Sequence, residues 1–346
     1  MKKLQTVKKN AKKILYAVLI LLFIYLIKTL DIEEIRESLK NIDLRFFAAA
    51  LALQLASVVL VNIQWLNIVR WTGRKPKFID MFKVNCIGNI VDSLTPGVKL
   101  GGEIARIYRM ETVLKTGKAE SAAITAMQKT VSLFSFLTIT IISTIILFLD
   151  KWNQMEEYRT AVILAVFISF VFLIFIMTAF FRPDKMLAAV NRFIKSEKLR
   201  KSINKGIENY IEISGKLFED KFKFIKQIIL GFLIWILFAV KLYIVVRGFG
   251  LYISFEDAFP VTYITYAIGM IPMLPGSIGS FEASMTFLLS LSSISVYEGV
   301  MISMVFRFIT FWFEFIVSGL YLFADKLIKT IISDEIDGVY CLKKKF

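Results

Sequence analysis

The chain has 346 residues, of which 57% are hydrophobic and 14% aromatic, and its mean hydropathy is +0.65. Soluble domains hold roughly 45 to 50% apolar residues, so the composition excludes an ordinary soluble enzyme and indicates an integral membrane protein. The net charge of +15 does not imply nucleic acid, because the lysines and arginines sit in tails and loops between apolar runs, where anionic lipid is the expected partner.

Two cysteines, Cys86 and Cys341, lack CxxC spacing, and there is no histidine. This excludes Ser-His-Asp and Cys-His nucleophilic sites, HExxH zinc sites and His-held haem. No cofactor or metal is expected, and no catalytic residue is assigned.

In chain order, the basic stretch MKKLQTVKKNAKK precedes an apolar run without an A-x-A cleavage signal and reads as an uncleaved first span. Full spans are expected at about 14–30, 46–69, 119–149, 160–181, 226–247 and 298–323. Two further apolar stretches, 79–105 and 258–295, each consist of two short halves around a Pro-Gly element, LTPGVKLGGEIAR and MLPGSIGSFEAS. In both elements a Glu follows the Pro by seven positions.

Lys and Arg accumulate in cytoplasmic loops. Their distribution predicts cytoplasmic N- and C-termini in the plasma membrane, with the two broken segments dipping in from opposite faces. Between Arg182 and Lys226, twelve basic residues stand against six acidic ones, and the segment reads as amphipathic helix lying on the inner leaflet.

The expected fold is an all-α polytopic membrane protein: about six transmembrane helices plus two broken re-entrant hairpins in an inverted repeat. It forms one membrane domain over 1–346. Within it lie a basic tail with the first span (1–45), a first repeat unit (46–149), an extra span with the basic segment (150–225), a second unit (226–325) and a tail (326–346).

Backbone cannot break inside hydrocarbon unless it is buried in protein or lines a wet cavity, so the two elements predict a cavity. Pro96 and Pro275 end the first half-helices, while Gly97, Gly101, Gly102, Gly276, Ser277 and Gly279 allow the reversal. The second half-helices direct free N–H groups and a positive dipole end at the break, a place suited to an anionic headgroup.

Glu103 and Glu282 fall in the first turn of those half-helices. Each is a candidate to bind a cationic headgroup, to take up a proton, or to pair with a basic residue; Arg106, three residues beyond Glu103, offers a local partner. Glu103 is followed by Glu120 and Lys129, and Glu282 by Glu298 and Arg307, with a nine-residue interval in both second pairs.

Arg307 stands near the middle of its span and needs a partner: Glu314 on the same face two turns away, Glu282, or a bridging headgroup. Lys129, with Gln128 beside it, is the corresponding charge in the first unit. Asn85, Asn89 and Asp92 form a polar stripe at i, i+4 and i+7. Lys241 reads as a snorkelling anchor, and Trp65, Trp71 and Trp152 as interfacial belt residues.

PGVKLGGEIARIYRM, and above all MLPGSIGSFEASM followed by VFRFITFWFEFIVSGL, resemble the transmembrane region of lysylphosphatidylglycerol synthetases, the flippase-like family, over about residues 10 to 325. The family pattern Pro-Gly-Gly-hydrophobic-Gly, two residues, then Glu, with a later Arg, falls on Pro275, Gly276, Ser277, Ile278, Gly279, Glu282 and Arg307. Gln128 and Lys129 stand where the family commonly shows Glu-Arg.

The resemblance implies movement of anionic or aminoacylated phospholipid, or of a polyprenyl-phosphate-linked lipid, between leaflets. In longer members, such as the bacterial multiple peptide resistance factor, a soluble domain performs the aminoacyl transfer; this sequence ends about twenty residues after its last span, and that activity is not expected of it. The alternative is a membrane component of, or scaffold for, a phosphatidylglycerol lysyltransferase-like enzyme. Expected partners are membrane lipids and either a second copy of the chain or a separate lipid-modifying enzyme.

Overall fold

The computed structural model describes residues 43–95, 100–152, 156, 159–193, 196–270, 277 and 279–327. The expected first span at 14–30, and Pro96, Gly97, Pro275 and Gly276, lie outside the described residues. The helices are α1 (Leu44–Trp71), α2 (Phe78–Leu94), α3 (Leu100–Val113), α4 (Lys118–Asp150), α5 (Arg159–Phe181), α6 (Pro183–Phe193), α7 (Glu197–Glu219), α8 (Lys221–Gly248), α9 (Phe255–Gly269) and α10 (Ser280–Ser290). The last, α11 (Val296–Leu327), contains a π-helical stretch at Phe308–Trp312. The chain is an all-α membrane protein.

Four helices, α1, α4, α8 and α11, are long and apolar enough to cross a bilayer, and α5 with α6, bent by 97°, makes a fifth candidate. Each falls on an expected span. Helix α5 is apolar on every side, and Phe167, Ile168, Phe170 and Phe175 project outward from it, as on a helix solvated by lipid. In α4 the hydroxyls of Thr125, Thr130, Ser135, Thr138, Thr140 and Thr144 each donate to the carbonyl four residues earlier. These polar groups are thereby satisfied inside the helix, as a span in hydrocarbon requires.

The two broken segments are short helix pairs. At 17, 14, 15 and 11 residues, α2, α3, α9 and α10 all fall below the roughly 20 needed to cross a bilayer. In the first pair Asp92 meets Gly102, and Asn89 meets Arg106. The partner numbers rise on one helix as they fall on the other, so α2 and α3 run antiparallel. The same holds in the second pair, where Tyr266 meets Phe281 edge-on and the Gly269 carbonyl accepts from Ser277.

Contacts repeat in order along the chain: α1 with α2, α2 with α3 and α3 with α4, then α8 with α9, α9 with α10 and α10 with α11. One apolar core joins α1, α2, α3, α4 and α7 around Trp65, Met81, Met110 and Met127. A second joins α8 to α11 around Leu242, Phe281, Met285 and Phe306. Between them Phe136 of α4, Trp235 of α8 and Tyr263 of α9 form an aromatic seam. It is pinned by the Trp235 indole donating to the Ser132 carbonyl at 2.9 Å and the Tyr263 hydroxyl donating to the Trp235 carbonyl at 2.8 Å.

Within the basic amphipathic segment, α7 does not offer its apolar face to lipid. Helix α7 packs on α4 and buries Tyr210, Ile213 and Leu217 in the first core, with the Tyr210 hydroxyl donating to Thr130 at 3.1 Å. Protein rather than the leaflet covers this face. An apolar stripe is the same signal for either surface, so the sequence pattern alone does not separate protein from lipid.

Candidate functional site

The first broken pair is built around Arg106. Its guanidinium donates to Asp92 at 3.0 Å, to Glu103 at 3.2 Å and to Asn89 at 2.5 Å. The face of Trp65 lies 5.8 Å from it. Two glycines make room for this cluster. A Cβ at Gly102 would coincide with the Asp92 carboxylate, and one at Gly88 with the Arg106 side chain. Gly102 also donates its backbone N–H to Asp92 at 2.8 Å, and a Cβ at Gly101 would strike Thr95. These glycines allow two helices to close over a buried ion pair.

From Arg106 the polar groups continue across the protein. Lys129 of α4 pairs with Glu103 at 2.6 Å. On the other side, Asn89 donates to Glu314 of α11 at 2.7 Å, and Gln54 of α1 donates to the second Glu314 oxygen at 3.4 Å. The Gln54 carbonyl accepts from Lys241 of α8, whose ammonium also reaches the Ser57 hydroxyl at 3.1 Å and the face of Phe238 at 3.8 Å. Lys129, Arg106 and Lys241 thus balance Glu103, Asp92 and Glu314 in one chain of contacts running through both halves of the fold.

The second broken pair holds its own charge. Arg307 Nε lies 3.7 Å from Glu282, and the guanidinium sits 4.4 Å from the Phe281 ring centroid and 4.8 Å from that of Phe311. It is 8% exposed and makes no hydrogen bond among the described residues. Glu282 uses its other oxygen to accept the Gly279 N–H at 2.7 Å, capping α10. Gly279 has a φ of +86° and Ser277 a φ of +57°. Both are left-handed, a conformation that glycine enters freely and serine does not.

Each broken pair sets a first-turn glutamate beside a basic residue of the following helix: Glu103 beside Lys129 and Glu282 beside Arg307. Behind them Glu120 and Glu298 each cap their own helix, accepting from Gly117 and from Ser295. Glu120 also takes a double hydrogen bond from Arg74, at 2.7 and 2.8 Å. That contact ties the loop between α1 and α2 to the start of α4, and the carboxylate holds the Arg74 guanidinium above its ordinary value.

Several sequence expectations are changed. Glu314 is not the partner of Arg307: Arg307 lies beside Glu282, whereas Glu314, beyond the π-helical stretch Phe308–Trp312, bonds Asn89 and Gln54. Lys241 does not snorkel: it is 0% exposed, and Gln54 and Ser57 hold it inside. Trp65 is not an interfacial residue but is 2% exposed in the first core. The polar stripe divides, with Asn89 and Asp92 joining Arg106 while Asn85 donates to Asn62 at 2.8 Å. Gln128 points away from the cluster and donates to Gln64 at 3.0 Å.

Comparison with known proteins agrees with this architecture. The sequence profile described as lysylphosphatidylglycerol synthase TM region matches residues 13–318. The chain belongs to that family. Among its relatives is a UPF0104 membrane protein of Methanothermobacter thermautotrophicus, 24% identical over 81% of this chain and 85% of the relative. Another, from Pyrococcus horikoshii, is 20% identical over 94% and 99%, and one from Methanocaldococcus jannaschii is 22% identical over 84% and 88%.

In this member of the lysylphosphatidylglycerol synthase TM family, the matched region contains both broken pairs and every charged group of the buried chain. Ser277 is left-handed and holds its turn by donating its hydroxyl to the Gly269 carbonyl. Among the described residues, no three Cys, Asp or Glu side chains converge as metal ligands. Gln54, Gly88, Asn62 and Lys241 were not marked as site residues by the sequence. Lys241, a lone charge in an apolar run, was the one available signal.

Proposed function

We propose that the protein is a lipid translocase. It carries the headgroup of an anionic or aminoacylated phospholipid, of the phosphatidylglycerol or lysyl-phosphatidylglycerol class, or of a polyprenyl-phosphate-linked lipid, between leaflets while the hydrocarbon tails stay in lipid. The observation that carries this reading is Arg307: a guanidinium enclosed at a helix break, walled by Phe281 and Phe311, with no hydrogen bond among the described residues.

A basic residue in mid-span carries a cost of at least about 2.5 to 3.5 kcal/mol on insertion scales. A phosphate gripped bidentately by the fork would offset it. The first turn of α10 begins beside this site, so its N–H groups add to the pull on an anion. Glu282, at 3.7 Å, then faces the cationic end of an aminoacylated headgroup.

The first unit is the closed counterpart, with Glu103 already joined to both Lys129 and Arg106. In this reading the units form an inverted repeat in the plasma membrane with both termini cytoplasmic, and rocking between them exchanges open and closed sites. The matching order of contacts in the two halves supports the repeat.

The test is headgroup accessibility in vesicles reconstituted with purified protein and headgroup-labelled lipid of each class. Native protein should move at least one class, Arg307→Lys less, and Arg307→Met none above empty vesicles. Native protein that moved none, or an Arg307→Met variant equal to native, would refute the translocase.

A further inference from the structure

Lys241 plays no part in holding the headgroup. It is the most enclosed charge described in the protein, at 0% exposure. Helix α8 packs against α1, α4, α7, α9 and α11, and their groups near it can be named. Helix α1 presents only the neutral Gln54 and Ser57. On α4, Lys129 is held by Glu103; on α7, Tyr210 donates to Thr130.

Of the α9 tyrosines, Tyr263 donates to the Trp235 carbonyl, and Tyr266 packs on Phe238 and Phe281 within reach of Arg307 and Glu314; from α2 the Cys86 thiol also faces Glu314, and Asn89 links that carboxylate to Arg106. On α11, Arg307 faces Glu282. On α8 itself, Arg247 donates to Tyr243. The charged group acting on Lys241 among the described residues is Glu314, reached through the single amide of Gln54.

Two titratable groups therefore face each other across one neutral amide, Lys241 fully enclosed and Glu314 half-buried. The surrounding chain is balanced, three basic groups against three acidic ones, so the loss or gain of one proton here leaves an uncompensated charge in the bilayer interior. Such a charge is opposed by several kcal/mol. The structure has a way to respond, because Glu314 is also the group that Asn89 of the first broken pair holds, at 2.7 Å. Neutralising Glu314 weakens a charge-assisted bond to an ordinary one, and neutralising Lys241 removes one of the two cations, with Arg106 beyond Asn89, that lie one amide away from the carboxylate.

We propose that Lys241 and Glu314 form a binding site for one proton whose occupancy sets how firmly the first broken pair is tied to α11. As a site it stands on its own geometry. That the proton drives lipid movement rests on the translocase reading above.

Two experiments on the purified full chain separate these. The first compares the pH dependence of unfolding in detergent, between about pH 5 and 9, for native protein, Lys241→Met and the double variant Lys241→Met/Glu314→Gln. The double variant keeps the site neutral and of similar volume, so it folds even where the single one does not. One shared proton makes the native folding equilibrium differ from that of the double variant by up to about tenfold per pH unit somewhere in this range. Parallel curves throughout would overturn the site.

The second experiment follows labelled phosphatidylglycerol in vesicles under imposed pH gradients of either sign. Native rates should differ about fivefold or more between the two signs, and the double variant should lose that difference. Equal native rates would overturn the coupling and leave the translocase standing. If native protein moves no lipid under either gradient, the translocase fails, the coupling falls with it, and the unfolding curves alone decide the proton site.

Discussion

Gly102→Ala reverses an ordinary rule. Within a helix, alanine in place of glycine stabilises by up to about 1 kcal/mol. In α3 the new methyl group would occupy the place of the Asp92 carboxylate. Asp92 is too short to swing aside while still reaching both of its partners, the Gly102 N–H at 2.8 Å and Arg106 at 3.0 Å.

Losing one hydrogen bond to a charged group costs about 1.5 to 3 kcal/mol, and the added methyl strains a tight contact by a further 1 kcal/mol or more. Set against the propensity gain, Gly102→Ala should destabilise by about 2 to 3 kcal/mol. That is about 30- to 150-fold in the folding equilibrium.

Equilibrium unfolding in mixed detergent measures it. Gly206→Ala in α7, where a Cβ meets nothing within 4 Å, is the control and should stabilise by about 0.5 to 1 kcal/mol. Asp92→Ala removes the obstructing carboxylate, so adding Gly102→Ala to it should cost little more, a non-additivity of about 2 kcal/mol. Additive effects, or a Gly102→Ala protein as stable as native, would refute the close approach of α2 and α3.

Three further expectations follow from the same geometry. Lys129→Met should cost only about 1 kcal/mol, measured by the same unfolding assay, because Lys129 is half-buried and Glu103 keeps Arg106 as a partner. Leu217→Ala should destabilise by about 2 to 5 kcal/mol and speed proteolysis around α7, since Leu217 is fully buried against the first core; a helix resting on lipid would show neither. Ser277→Gly should leave stability within about 1 kcal/mol of native while Ser277→Val lowers it by more, because a β-branched residue is strained at a φ of +57°.

The long apolar runs were legible in the sequence because hydrocarbon demands contiguous apolar residues whatever the neighbours do. The Pro-Gly breaks were legible because backbone reversal has few chemical solutions. The nine-residue intervals from Glu120 to Lys129 and from Glu298 to Arg307 mark Lys129 and Arg307 as corresponding charges, and the structure sets each beside a first-turn glutamate, Glu103 and Glu282. The inward direction of Lys241 is not legible, because one charge in an apolar helix carries no periodicity to fix it; the rotation of α8 is set by packing on its neighbours, α1 foremost.

The partners of Glu314, Asn89 and Gln54, lie on other helices, and the π-helical stretch Phe308–Trp312 before it has no sequence signature. Gly88 and Gly102 have a role only once α2 and α3 are in contact, and no local pattern states that contact. For Trp65, lipid headgroup and protein core ask for the same indole, and only its closeness to Arg106 distinguishes them.

The most direct test of the headgroup site at Arg307 is photocrosslinking with phosphatidylglycerol carrying a diazirine on its headgroup, followed by peptide mapping of native and Arg307→Met proteins. Labelling of native protein at Phe281 and Phe311, the two walls of the Arg307 site, and its loss in the variant is the predicted result. Labelling confined to outward residues of α5 such as Phe167 and Phe170, unchanged by the substitution, would contradict it.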